Sequence, residues 1–256
     1  MSELSSLAPF GGELTAGLAA VAFATSMLSA ILGLAGGITL LSVMLLFMEP
    51  LTAVPLHGVV QLVANGSRTW IQRREVHLEL VWPYALCLLP AGFAGLTLAR
   101  GLAPDHLRAL IGAFVLLATW APAGLRLGRH PERIAPRRRF LLLGATVGFL
   151  NTTVGATGAL LAPFFLNLGL NRFAIIGTQA ACQTLGHLAK LVVFGVVGFA
   201  FSDYALLLVL LAGMVVAGTW TGSQLLTRVK EGWFVALYKG VLTLIALRLV
   251  LSAIVS

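Results

Sequence analysis

Apolar runs of about 20 residues recur along the chain, interrupted by few polar positions that are themselves regularly spaced. Four runs are plain: Leu80–Ala99, Leu107–Gly124, Tyr204–Leu226 and Trp233–Ile254. A helix rising about 1.5 Å per residue crosses a hydrocarbon core of roughly 30 Å in that length. A closed barrel would instead show alternating segments of about ten residues, and none is present. The pattern predicts an all-α integral membrane protein.

The polar positions divide the chain into two similar halves. Each opens with an apolar stretch broken by a Gly/Thr-rich kink, GLAGGIT at Gly33–Thr39 and NTTVGATGA at Asn151–Ala159. A polar-striped helix follows, and two plainer spans close the half. A shift of 122 positions (155 − 33) lays Gly33–Arg68 on Gly155–Lys190 without a gap. Gly33 then meets Gly155, Gly36 meets Gly158, Gln61 meets Gln183, Asn65 meets His187 and Arg68 meets Lys190. The expected organisation is a first transmembrane repeat over 1–125, a basic cytoplasmic linker over 126–139, and a second repeat over 140–256.

Orientation follows from charge. If each kinked segment returns to its own side as a re-entrant or discontinuous pair, three full crossings remain per half, and the repeats are inverted. With the linker Arg126–Arg139 cytoplasmic, Arg73, Arg74, Arg172, Arg228 and Lys230 then share its side. Arg100, Arg108 and Asp203 lie opposite. Parallel repeats would move Arg172, Arg228 and Lys230 outside, so the positive-inside rule favours inversion.

His57, Gln61, Asn65 and Arg68 follow at steps of four, four and three, and Gln179, Gln183, His187 and Lys190 repeat those steps. At 3.6 residues per turn each set shares one helix face. Such residues can be mere interhelical glue. Two matched stripes each ending in a cation argue for a lined path, since ionisable groups at membrane depth are costly. The kinks add backbone N–H groups and the positive end of a helix dipole. Gly33, Gly36, Gly37, Gly155 and Gly158 allow close approach to that backbone, unless they serve only helix packing. Thr39, Thr152, Thr153 and Thr157 add hydroxyls.

Composition sharpens the chemistry. Of 256 residues, 59% are hydrophobic and 10% charged, against roughly 25% charged in a soluble domain; mean hydropathy is +0.96. The net charge of +8 sits mostly in short loops, which reads as topology signalling and excludes nucleic acid as a partner. Glu49, Glu75, Glu79, Asp105, Glu132, Asp203 and Glu231 fall at span ends or in loops. A path lined by amides, N–H groups and cations without carboxylates prefers an anion. Cys87 and Cys182 lack metal or redox spacing and read as packing residues. No metal or cofactor is expected, and no signal peptide. Lys239 and Arg248 either snorkel to an interface or line a path.

The kinked repeats resemble the sulfite exporter TauE/SafE family of membrane permeases, in the toluene-sulfonate uptake permease superfamily. The resemblance rests on G-L-A-G-G-I-T at Gly33–Thr39 with Leu51–His57 (LTAVPLH), and on Val154–Pro163 (VGATGALLAP). It implies transport of small sulfur-containing or organic anions such as sulfite, sulfonates or sulfoacetate across a prokaryotic-type inner membrane, with Gly33, Gly36, Gly37, Gly155 and Gly158 along the substrate path. The chain departs from the pattern at Ala159, where the first half has Gly37, and at Leu41, where the second half has Pro163.

The expectation is therefore a multi-pass inner-membrane anion carrier with no catalytic residue, working by alternating access at a midplane site. An inside-negative potential favours anion exit by about 2.3 kcal/mol per charge per 100 mV, hence export. Proton coupling would fall to His57 or His187. An anion channel with the same lining and a non-transport scaffold are the competing readings; an embedded enzyme lacks any motif. A homodimer is compatible with the sequence.

Overall fold

The computed structural model describes residues 11–32, 36–121, 134–165, 168–225 and 231–255. Ten α-helices cover most of them: α1 Gly12–Leu32, α2 Gly36–Met44, α3 Pro50–Ile71, α4 Leu78–Gly101, α5 Pro104–Trp120, α6 Pro136–Thr153, the single turn α7 Gly158–Leu161, α8 Arg172–Val196, α9 Ala205–Leu225 and α10 Glu231–Val255. Among the described residues there is no strand. Local signals set the starts. Pro50, Pro104 and Pro136 open their helices, where the missing N–H has no helical partner to lose. The Asn171 side chain accepts from the Ala174 N–H at 2.9 Å and caps α8.

The four apolar runs become α4, α5, α9 and α10, with Gly124 and Leu226 outside the described residues. Among those residues, Leu78–Gly101 and Phe201–Gly222 are long and apolar enough to cross a bilayer on length and composition alone. Their outward faces carry Trp82, Leu86, Val209, Val216 and Trp220, all exposed. In water such a belt would be an aggregation liability; in lipid it is the solvated surface.

Helix pairings fall into couples related by exchanging the halves. α4 packs on α6 while α9 packs on α1; α4 also meets α8 while α9 meets α3; α3 pairs with α8, and α5 with α10. The last two pairs join corresponding helices, and both run antiparallel. Along α3 and α8, Gln72 lies against Gly177, Thr69 meets Thr184 and Gly58 meets Lys190 and Leu191. Along α5 and α10, Trp120 meets Thr243 while Gly112 meets Ala246 and Val250. At the α4–α6 contact, a methyl on Gly95, Gly144 or Gly148 would run into a backbone carbonyl of the facing helix. Small residues there let the backbones approach.

The second kink turns back. Arg139, buried near the start of α6, donates from Nη1 to Phe164 O at 3.0 Å. The segment after Gly158 has therefore returned to the end at which α6 began. A core of Leu41, Val54, Leu56, Val60, Ile111, Leu211 and Ala246 fills the space between the halves.

Candidate anion site

The two polar stripes lie on α3 and α8, which cross face to face. Because the helices are antiparallel, the stripes do not meet position for position. His57 lies level with His187 and Lys190, while Gln179 falls toward Asn65 and Arg68.

At the first level the His57 and His187 rings meet edge to face, centroids 6.0 Å apart and planes at 82°. His57 Nε2 is 2.8 Å from Gly37 O, in α2. Lys190 Nζ donates to Gly155 O at 2.8 Å, and its amine lies within electrostatic reach of both rings. All three side chains are buried. Each histidine leaves Nδ1 buried without a partner. Lys190 reaches this place by passing over Gly58: a Cβ there would stand 2.9 Å from Lys190 Cδ and 2.8 Å from Leu191 Cδ1.

The glutamines face the glycine-rich elements in both halves. A Cβ on Gly37 would lie 3.0 Å from the Gln61 amide, and one on Gly158 would lie 3.2 Å from Gln183 Oε1. α2 begins at Gly36, so its free N–H groups open next to Gln61 and His57. Gly155 has φ +89°, a backbone shape that glycine adopts without the Cβ penalty, and this turns its carbonyl toward Lys190.

Other expected residues go elsewhere. Thr153 Oγ1 donates to Gly95 O at 3.1 Å and Thr152 Oγ1 to Gly92 O at 2.9 Å; both hydroxyls tie α6 to α4 instead of facing the histidines. Arg68 Nη2 donates to Ser29 Oγ at 3.3 Å, on α1. Asn65 Nδ2 turns back to Gln61 O at 3.0 Å. Gln179 keeps Nε2 buried without a partner. Thr39 and Thr157 are buried. Gly33 lies outside the described residues, as do Arg228, Lys230 and most of the linker. Lys239 stacks its Nζ over the Trp120 ring at 5.2 Å, and Arg248 is exposed.

The structure adds residues that spacing did not flag. Beside His187, Asn151 Nδ2 donates to Gly186 O at 2.8 Å and leaves Oδ1 unpartnered. The Tyr84 hydroxyl, also buried and unpartnered, stands 2.9 Å from where a Gly186 Cβ would be. Asn151 opens the second kink motif; Tyr84 and Gly186 carry no pattern, because a lone Tyr or Gly in an apolar span is unremarkable in sequence. Carboxylates keep to the ends: Glu79 pairs with His77, and Asp105 with Arg108. Among the described residues, no group of three or more His, Cys, Asp and Glu gathers as for a metal.

Residues 18–249, nearly the whole chain, match the family described as Sulfite exporter TauE/SafE. No curated protein and no solved structure matches the chain.

Proposed function

This chain belongs to the sulfite exporter TauE/SafE family, and on that premise we propose that it is a secondary transporter that exports small sulfur-containing or organic anions. Membership of a family described as sulfite exporters supports a membrane permease. The sulfite, sulfonate and sulfoacetate class is the substrate range that fits a site of donors without acids. The observation that carries the reading is the meeting of His57, His187 and Lys190 between the carbonyls of Gly37 and Gly155. A buried amine and two imidazoles cluster there beside the start of α2, with no carboxylate of the described residues against them. Buried polar groups of this kind usually line a pathway.

Inverted repeats are the arrangement we infer for the halves. Corresponding helices α3 and α8 run antiparallel, as an axis in the membrane plane requires. The loop before α4 also packs on the first turns of α8: the His77 N–H donates to Thr178 Oγ1 at 3.0 Å. Arg73, Arg74 and the start of α8 thus share one end, in keeping with a positive-inside cytoplasmic face. Rocking of one repeat against the other would open the site alternately.

Flux of labelled sulfite and of a small sulfonate into proteoliposomes, with potential and pH gradient imposed separately, tests this. Saturable flux abolished by Gln61→Ala or Lys190→Ala is the expected result. Conductance in planar bilayers without saturation or counterflow would make the protein a channel. Absence of flux of any anion from folded protein would overturn the transport reading.

A further inference from the structure

The two histidines limit the protonation state of what the site can hold. Gly37 O is an acceptor only, so the 2.8 Å contact with His57 requires the hydrogen on Nε2. In the neutral ring Nδ1 is then a bare lone pair, and it is buried without a partner. His187 Nδ1 is likewise buried and unpartnered, with the rings 6.0 Å apart.

The charged and titratable neighbours decide what these nitrogens need. α8 presents His187 and Lys190; α2 and α9 carry no titratable side chain; α6 has Arg137, Arg138 and Arg139 only at its start; α5 has Asp105, His106 and Arg108 in its first turns. No carboxylate of the described residues faces the ring. A second cation beside Lys190 with no counter-ion is opposed by Coulomb repulsion. The rest of the site offers donors: the Lys190 amine has N–H groups beyond the one on Gly155 O, and Gln61 and Gln183 carry amides. The Gly155 carbonyl, which accepts from Lys190, also bears on the His57 ring, but with its hydrogen on Nε2 what His57 Nδ1 lacks is a donor.

We propose that the His57–His187 pair receives a small oxyanion in the form that still carries one O–H. The O–H donates to Nδ1 of His57, and the anionic oxygens accept from Lys190 and Gln61. This rests on the anion-transporter reading and narrows it to the monoprotonated member of an acid pair, with the fully ionised form excluded. A site built to bond a substrate hydroxyl rejects the analogue lacking it, because its own buried group is left unpaired.

Hydrogen sulfite (HO–SO2−) and methanesulfinate (CH3–SO2−) form the deciding pair, alike in charge and shape and differing in O–H against CH3. Proteoliposome flux is compared at a mildly acidic pH where sulfite is monoprotonated. Preference for hydrogen sulfite of about tenfold or more is expected. His57→Gln keeps an N–H for Gly37 O but deletes Nδ1, and should bring the ratio toward one in whatever flux remains. Raising the pH should cut sulfite flux with the fraction of the O–H form, about tenfold per unit once that form is the minority. Methanesulfinate, unchanged over that span, reports any titration of the protein itself. Equal flux of both anions in the wild type, or sulfite flux that follows the dianion, overturns the proposal and leaves the transporter reading standing. Absence of flux of either anion overturns both.

Discussion

His57 and His187 touch edge to face, yet they are not equivalent positions of the two halves. The 122-residue shift places Gln179 opposite His57 and Asn65 opposite His187. The rings meet because α3 and α8 cross antiparallel, so each end of the crossing takes the start of one stripe and the finish of the other. One end gathers His57, His187 and Lys190. The other is left with Asn65, Arg68 and Gln179. A symmetric fold thereby carries a chemically one-sided site.

Lys190 is the residue whose loss should be felt most. Its Nζ satisfies Gly155 O at a buried position. Lys190→Met keeps the stem across Gly58 but removes the donor. Flux per folded protein should fall at least about tenfold, and the stranded carbonyl should cost on the order of 1 kcal/mol of stability. Thermal unfolding in detergent, run beside the flux assay, separates the two effects. Gly58→Ala displaces the same stem without deleting a polar group and should lower flux severalfold. Normal flux in both variants would remove Lys190 from the path.

Much of this was legible in the sequence, for reasons that also explain what was not. The apolar runs gave α4, α5, α9 and α10 because length and hydropathy alone decide a span. Helical period is local, so, although Arg68 turns to Ser29 of α1, the stripe spacing puts each set on one side of α3 or α8. Their mutual orientation is not local: the shift that aligns Gln61 with Gln183 says nothing of whether the helices run parallel, so the His57–His187 pairing stayed hidden. Thr152 and Thr153 point to the site only through their place in the second kink. Their hydroxyls instead reach Gly92 and Gly95, because the glycines of α4 bring that backbone close.

That contact makes a clean contrast. Thr152→Val and Thr153→Val each remove one interhelical hydrogen bond, worth about 0.6 kcal/mol in a membrane. A small drop in unfolding temperature with unchanged apparent affinity for the anion is expected. A large change in affinity with normal stability would return these hydroxyls to the substrate path.

Topology can be read from impermeant thiol labels. Single cysteines at exposed Arg74 and Phe173 should react from the same face of the membrane. Cysteines at exposed Arg100 and Ser202 should react from the other. Labelling of Phe173→Cys from the Arg100 side would exclude inverted repeats, since it would separate the start of α8 from the loop that its Thr178 hydroxyl holds.

The glycines of the two kinks should separate by function when each receives a methyl. At Gly155 the backbone has φ +89°, and a Cβ would stand 2.8 Å from Leu41 Cδ2 and 3.0 Å from Val54 Cγ2. Gly155→Ala therefore meets strain and crowding together and should destabilise by about 1–3 kcal/mol. At Gly37 and Gly158 the nearest atoms belong to the flexible Gln61 and Gln183 amides, which can turn aside. Gly37→Ala and Gly158→Ala should keep the unfolding temperature within a few degrees while raising the KM for the anion. The measurement is unfolding and KM on the same preparations. If Gly155→Ala were the stable variant and the other two failed to fold, the glutamine contacts would be structural, and the binding role of Gln61 and Gln183 would fall.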